Sequence, residues 1–126
     1  MKDGADHSTP RVLVIDDDEA LLRMLRLSLA SEGFQVATAE GGASGLEKLR
    51  FDEFDVIVLD LQMPGMDGRS FHREMVARGY NTQIVILSAY GAEKARQELG
   101  VAAAIAKPFD PDVLIKTVRD VATAGD

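Results

Sequence analysis

Three uninterrupted apolar runs, Val12-Leu13-Val14-Ile15, Val56-Ile57-Val58-Leu59 and Ile84-Val85-Ile86-Leu87, each stop at a polar residue: Asp16, Asp60 and Ser88. A short apolar run without alternation reads as a strand buried on both faces, and such strands belong to parallel sheets covered by helices on either side. Longer amphipathic stretches separate the runs. From Glu19 to Ser31, Leu21, Leu22, Leu25 and Leu29 recur at helical spacing with Arg23 and Arg26 on another face, and Gly33 supplies a stop. Phe34 to Ala39 reads as a second strand, and Gly41-Gly42-Ala43-Ser44-Gly45 leads into a short helix carrying Leu46 and Leu49. Asp55 and Asp60 bracket the third strand. The turn-forming segment Leu61 to Gly68 follows it, then a helix containing Phe71, Met75 and Val76. A fifth strand near Val101 to Ala106 ends at Lys107-Pro108, and Asp110-Pro111 opens a last helix whose inner face is Leu114, Val118, Val121 and Ala122. Five strand-helix pairs predict an α/β fold, doubly wound around a parallel sheet with the first strand central.

Composition narrows the classes of function. The 126 residues are 46% hydrophobic and 28% charged, enough for one domain with a real core. Positions 11–122 are expected to form that domain, with 1–10 a loose leading segment and 123–126 a tail. The absence of cysteine excludes disulfides and thiolate metal ligation. No stretch approaches the roughly 18 apolar residues of a spanning helix, so membrane insertion is not expected. A net charge of −7 argues against direct binding to a nucleic-acid backbone.

The polar residues that end the strands carry the functional signal. Asp16 and Asp17 follow strand one, Asp60 strand three, Ser88 strand four and Lys107 strand five. In a parallel sheet all of these lie at the carboxyl edge, where open α/β folds bind ligands. Two carboxylates about 4 Å apart repel by roughly 4 kcal/mol at an effective dielectric near 20, so three together call for a cation or a raised pKa. Mg²⁺ suits such a site, since it takes oxygen ligands from one or two carboxylates and a phosphate group.

The segments IDDD at 15–18, DLQMPGMDG at 60–68, LSA at 87–89 and KPF at 107–109 together resemble the receiver domain of two-component response regulators, similar to the chemotaxis-type single-domain receivers. The resemblance runs from Arg11 to Ala122. It implies a flavodoxin-like (βα)5 fold with strand order 2-1-3-4-5, and a phosphoryl group passed to Asp60 from a sensor histidine kinase or a histidine phosphotransfer protein. Carried over by position, Asp17 would be a direct metal ligand, Asp16 would orient metal-bound water, and Gln62 would lend a main-chain carbonyl. Asp60 would be ligand and nucleophile together. Lys107 would pair with one phosphoryl oxygen and Ser88 would donate a hydrogen bond to another, with Lys107-Pro108 a cis peptide. Such a domain is a cytoplasmic signalling switch that catalyses its own phosphoryl uptake and dephosphorylation, and not an enzyme acting on other substrates.

The resemblance departs from the family at Ala104. There the family places the aromatic ring of its switch, and alanine has none to turn. Tyr90, two residues after Ser88, is the candidate to occupy part of that space, and with Gln62 it stands where the family controls the access of hydrolytic water. The family's partner surface is built from helix four, strand five and helix five, with Arg96, Lys116 and Arg119 as candidates here. A downstream target or effector would dock there, and homodimerisation is left open. No effector sequence follows position 126, so a stand-alone and an excised receiver both fit.

Blander readings compete residue by residue. Asp18 and Glu19 read as an acidic helix start, Asp67-Gly68 as turn and N-cap, and Pro64 as a rigid turn. Gly41-Gly42-x-x-Gly45 lacks dinucleotide-loop spacing and reads as loop and helix entry. His7 and His72 are not spaced as a metal pair, and Met24, Met63, Met66 and Met75 read as packing or loop residues. Two other functions are weighed. A phosphatase of haloacid dehalogenase type is suggested by Asp16-x-Asp18, but Ala20 stands where its first motif wants Thr or Val. A degenerate receiver that only docks or dimerises is suggested by Ala104 alone.

Overall fold

The structure, a computed structural model, describes residues 9–124; His7 and most of the leading segment lie outside the described residues, as do 125–126. The three apolar runs become adjacent strands. With β1 at Arg11–Ile15, β2 at Gln35–Ala39, β3 at Val56–Leu59, β4 at Gln83–Ser88 and β5 at Ala103–Ala106, the sheet order is β2-β1-β3-β4-β5 and every pairing is parallel. The helices are α1 at Glu19–Ser31, α2 at Gly42–Phe51, α3 at Gly68–Ala77, α4 at Ala92–Leu99 and α5 at Pro111–Ala124. Among the described residues, no helix is long and apolar enough to cross a membrane.

Alternation along the central strands sorts their side chains into two cores. Leu13, Ile15, Ile57, Leu59, Ile84 and Ile86 pack with Leu46, Leu49, Phe71, Met75 and Ala95 on the side covered by α2, α3 and α4. Val12, Val14, Val56, Val58, Val85 and Leu87 pack with Leu22, Leu25, Leu29, Leu114 and Val118 under α1 and α5. Burying each such side chain is worth about 1.5–3 kcal/mol before ordering entropy is subtracted, so the runs that ended the ambiguity in the sequence also dominate the packing.

Two boundaries differ from expectation, each for a local reason. Phe34 is not in β2. Its N–H bonds the Leu29 carbonyl while Gly33 turns the chain at φ 96°, so Phe34 closes α1 and buries its ring in the α1/α5 core. Strand β5 starts at Ala103 because Gly100, at φ 70°, and Val101 both donate to the Arg96 carbonyl and finish α4. Helix α5 continues through Ala124. Val76, by contrast with Phe71 and Met75, is exposed.

The acidic helix starts are as the residue types imply. Asp18 accepts from the N–H groups of Ala20 and Leu21 at 3.0 and 3.2 Å, and Asp67 accepts from Ser70 N–H at 2.8 Å. The bond from Ser70 holds the Asp67 carboxyl below its ordinary range. Its contribution is therefore present above the unfolded pKa and lost as pH falls through the lower folded one. Asp67→Ala is expected to cost about 1 kcal/mol at neutral pH. Denaturant melts should show that difference shrinking in acid, and a difference unchanged in acid would remove the cap explanation.

Candidate functional site

The strand ends are tied to their neighbours by the same ladders that make the sheet. Asp16 N–H donates to Ala39 at 3.1 Å, Asp60 N–H to Ile15 at 3.0 Å and Lys107 N–H to Ser88 at 2.9 Å, in each case to the main-chain carbonyl. Residues from three strands are thereby fixed at one carboxyl edge. The Lys107-Pro108 peptide is cis.

Carboxylate oxygens of Asp16, Asp17 and Asp60 all lie within 4.8 Å of one another. Asp16 and Asp60 are 1% and 5% exposed, whereas Asp17 opens to solvent. Lys107 Nζ lies 2.8 Å from Asp16 Oδ2 and 3.8 Å from Asp60 Oδ2, bringing one cation to two of the three acids. Asp16 Oδ1 also accepts from Asp18 N–H at 2.9 Å, and Asp60 Oδ1 from Gln62 N–H at 3.3 Å. Burial raises the Asp60 pKa and the Asp16 charge raises it further, against the lowering effects of Lys107 and the Gln62 amide. An excess of buried negative charge, carried by oxygen atoms alone, fits a hard divalent cation such as Mg²⁺.

Other named residues are arranged less directly. Ser88 is 0% exposed, and its hydroxyl donates to the Tyr90 carbonyl at 3.2 Å and accepts from Tyr90 N–H at 3.4 Å, so it faces its own loop. Tyr90 is 72% exposed. Its ring stands in solvent at a cleft of about 330 Å³ that Gln62, Arg69 and Lys94 also line. Ala104, paired in register with Ile86, is partly buried against the α2/α3/α4 core. The candidate partner-face cations are engaged nearby: Arg96 with Glu93, Lys116 with Asp120, and Arg119 with Glu32 while stacked 5.0 Å over Phe34. A larger cavity, about 460 Å³, lies at the opposite edge of the sheet among Asp52, Asp55, Tyr80 and Gln83. The carboxylate cluster is the chemically informative place, since that cavity gathers none of the strand-end residues.

Two glycines were read only as turn or helix entry, yet both face the segment that follows Asp60, Gly68 through main-chain atoms and Gly42 through the Met66 side chain. A Cβ on Gly68 would lie 2.5 Å from the Asp60 carbonyl oxygen and 2.7 Å from Leu61 Cα. A Cβ on Gly42 would lie 2.8 Å from both Cγ and Sδ of Met66. The available signal was the small residue at each helix start, next to a loop that has to pass close by.

Comparison with known proteins agrees with the fold. The response regulator receiver domain family matches residues 12–119. Transcriptional regulatory protein GlrR of Escherichia coli (strain K12) is 37% identical over 117 residues, covering 90% of this chain and 26% of its own length. The chain thus spans about a quarter of that relative. Among solved structures, the receiver domain of the Francisella response regulator 1452 aligns with a TM-score of 0.86 at 30% identity, over 94% of this chain and 100% of that one. Response regulator TrrA of Thermotoga maritima, solved in complex with Mg²⁺-BeF, aligns with a TM-score of 0.79 at 28% identity, over 90% of this chain and 99% of that one.

Proposed function

Since the chain belongs to the response regulator receiver domain family, we propose that it is a phosphorylatable switch in which Asp60 takes a phosphoryl group from a phosphohistidine donor. The observation that carries this reading is a buried Asp60 carboxylate grouped with Asp16 and Asp17 and 3.8 Å from Lys107. In the transfer, an Asp60 Oδ attacks phosphorus as the bond from phosphorus to the donor nitrogen breaks, and that electron pair leaves with the imidazole. Asp16, Asp17 and Asp60, with the Gln62 main-chain carbonyl, would hold Mg²⁺. The ion, when bound, supplies neutralisation of the carboxylates and of the charge on the phosphoryl oxygens.

The remaining roles follow from what each group now bonds. Lys107 already bridges toward Asp60 and would pair with a phosphoryl oxygen there. Ser88 would reach another oxygen only by giving up the Tyr90 carbonyl, which couples phosphorylation to the loop between β4 and α4. With alanine at 104, no ring follows that hydroxyl inward. Output would therefore pass through the loop itself to the face of α4, β5 and α5, where a downstream target or effector docks. The proposed setting is the cytoplasm, with a sensor kinase or phosphotransfer protein as donor.

The test is incubation with phosphoramidate and Mg²⁺, followed by intact-mass analysis. A stoichiometric, hydroxylamine-labile phosphoryl group that maps to Asp60 is expected. Multiple turnover of a phosphomonoester would indicate a phosphatase instead. Failure to take up phosphate would leave a docking module.

A further inference from the structure

The geometry points to Gly42 as a positioning residue for the acceptor site, acting through Met66. The loop from Leu61 to Gly68 carries Gln62, whose N–H meets Asp60 Oδ1 at 3.3 Å. Two of its fixings are internal to β3 and α3. Gly68 N–H closes the loop on the Leu61 carbonyl at 2.9 Å, and Asp67 caps α3 through Ser70 N–H. Met66 instead fills the space beside Gly42, the first residue of α2.

Gly42 does not have a positive φ, so an L side chain is acceptable to its backbone. The atoms nearest to a Cβ built there are Cγ and Sδ of Met66 at 2.8 Å and Met66 Cβ at 3.0 Å. Met66 is itself partly buried, packed against the core that holds Leu61, Met63 and Phe71. A methyl group at position 42 therefore has to displace the Cγ and Sδ of Met66, a side chain already packed against that core, and the 3.0 Å approach to its Cβ passes part of the displacement to the loop. The absence of a side chain on α2 lets the loop settle where Gln62 meets Asp60. This rests on Asp60 being the metal-assisted acceptor, and it adds a residue outside the strand ends to that site.

Gly42→Ala is expected to weaken Mg²⁺ binding, read by calorimetry, and to slow phosphoryl uptake, each by about five- to tenfold, because displacements well under 1 Å at such a site are costly. Met66→Ala removes the obstructing atoms, leaving only the 3.0 Å approach of its Cβ, and is expected to weaken binding about two- to threefold by loosening the loop. The double variant Gly42→Ala/Met66→Ala should match Met66→Ala alone. Gly45→Ala is the control on the same helix: its Cβ would meet Ile15 Cδ1 at 2.6 Å and Phe71, so it should lower the thermal midpoint while costing less Mg²⁺ affinity than Gly42→Ala does.

A wild-type affinity and rate in Gly42→Ala, or a double variant as impaired as Gly42→Ala, would overturn the inference. So would an equal loss of affinity in Gly45→Ala, which would make the effect one of general packing. The metal-free protein supplies a readout independent of phosphoryl chemistry. The Gln62 amide resonance should shift in Gly42→Ala and return toward the Met66→Ala position in the double variant. If the wild type neither binds Mg²⁺ nor takes up phosphate, the acceptor reading falls, and the Gln62 resonance still decides whether Gly42 sets the loop.

Discussion

Asp60→Asn is expected to abolish phosphoryl uptake and, in the absence of metal, to make the protein harder to unfold. The two effects have one cause. Burial and the neighbouring Asp16 charge raise the Asp60 pKa above its ordinary 3.8, so the folded chain holds that proton more tightly than the unfolded chain does. Stability from this group is present while Asp60 is protonated, and it is lost as pH rises from the unfolded value through the folded one. At neutral pH the ionised carboxylate is a full cost, and asparagine removes the charge at nearly the same size. Thermal melts without metal should show the variant's advantage opening as pH rises through that window. Added Mg²⁺ should raise the wild-type midpoint by mass action and raise the variant's by less. A variant less stable than the wild type at neutral pH would show that the Lys107 contact outweighs burial. Retained labelling would move the acceptor elsewhere.

Gly68→Ala should damage the fold and the site together. The added Cβ would press on the Asp60 carbonyl oxygen at 2.5 Å and on Leu61 Cα at 2.7 Å, and both are main-chain atoms that no rotamer change can move aside. Overpacking against backbone costs about 3 kcal/mol, which for a domain of this size lowers the thermal midpoint by roughly 10 °C. The residual folded protein should label more slowly, because the shift is delivered to the nucleophile's own peptide; a misplacement of about 1 Å costs around a hundredfold. A midpoint and labelling rate both near wild type would mean that α3 slides without disturbing β3.

The sequence disclosed the sheet because hydrophobic runs speak for burial, and burial on both faces has few solutions. Val12–Ile15, Val56–Leu59 and Ile84–Leu87 were legible as central strands, and the residues that end them pointed to the carboxyl edge. The edges were harder to read. Phe34 and Val101 are apolar and adjoin strands, but their amides complete helix ends, a matter of hydrogen-bond geometry that composition does not carry. Asp16, Asp17, Asp60 and Lys107 were legible because position and residue type agree, and the structure brings them together. The direction of the Ser88 hydroxyl and the exposure of the Tyr90 ring depend on the loop that follows, which no periodicity governs. Gly42 and Gly68 were the least visible, since what matters about them is which atoms of another segment occupy the space a side chain would fill.

The ladder bonds from Asp16, Asp60 and Lys107 to neighbouring strands separate two mechanical roles within the molecule. Those amides belong to the sheet, so the main-chain positions of the acids and the lysine yield only when the sheet itself opens, at close to the full cost of unfolding. Beyond Ser88 the ladder stops, and the Ser88 hydroxyl donates to the Tyr90 carbonyl and accepts from the Tyr90 N–H in the turn before α4. On the proposed reading, a docking protein would engage that turn while the main chain of the reacting residues keeps its register. The proposed chemistry rides on main chain that the sheet holds, and the proposed communication is left to a turn held by one side-chain hydroxyl.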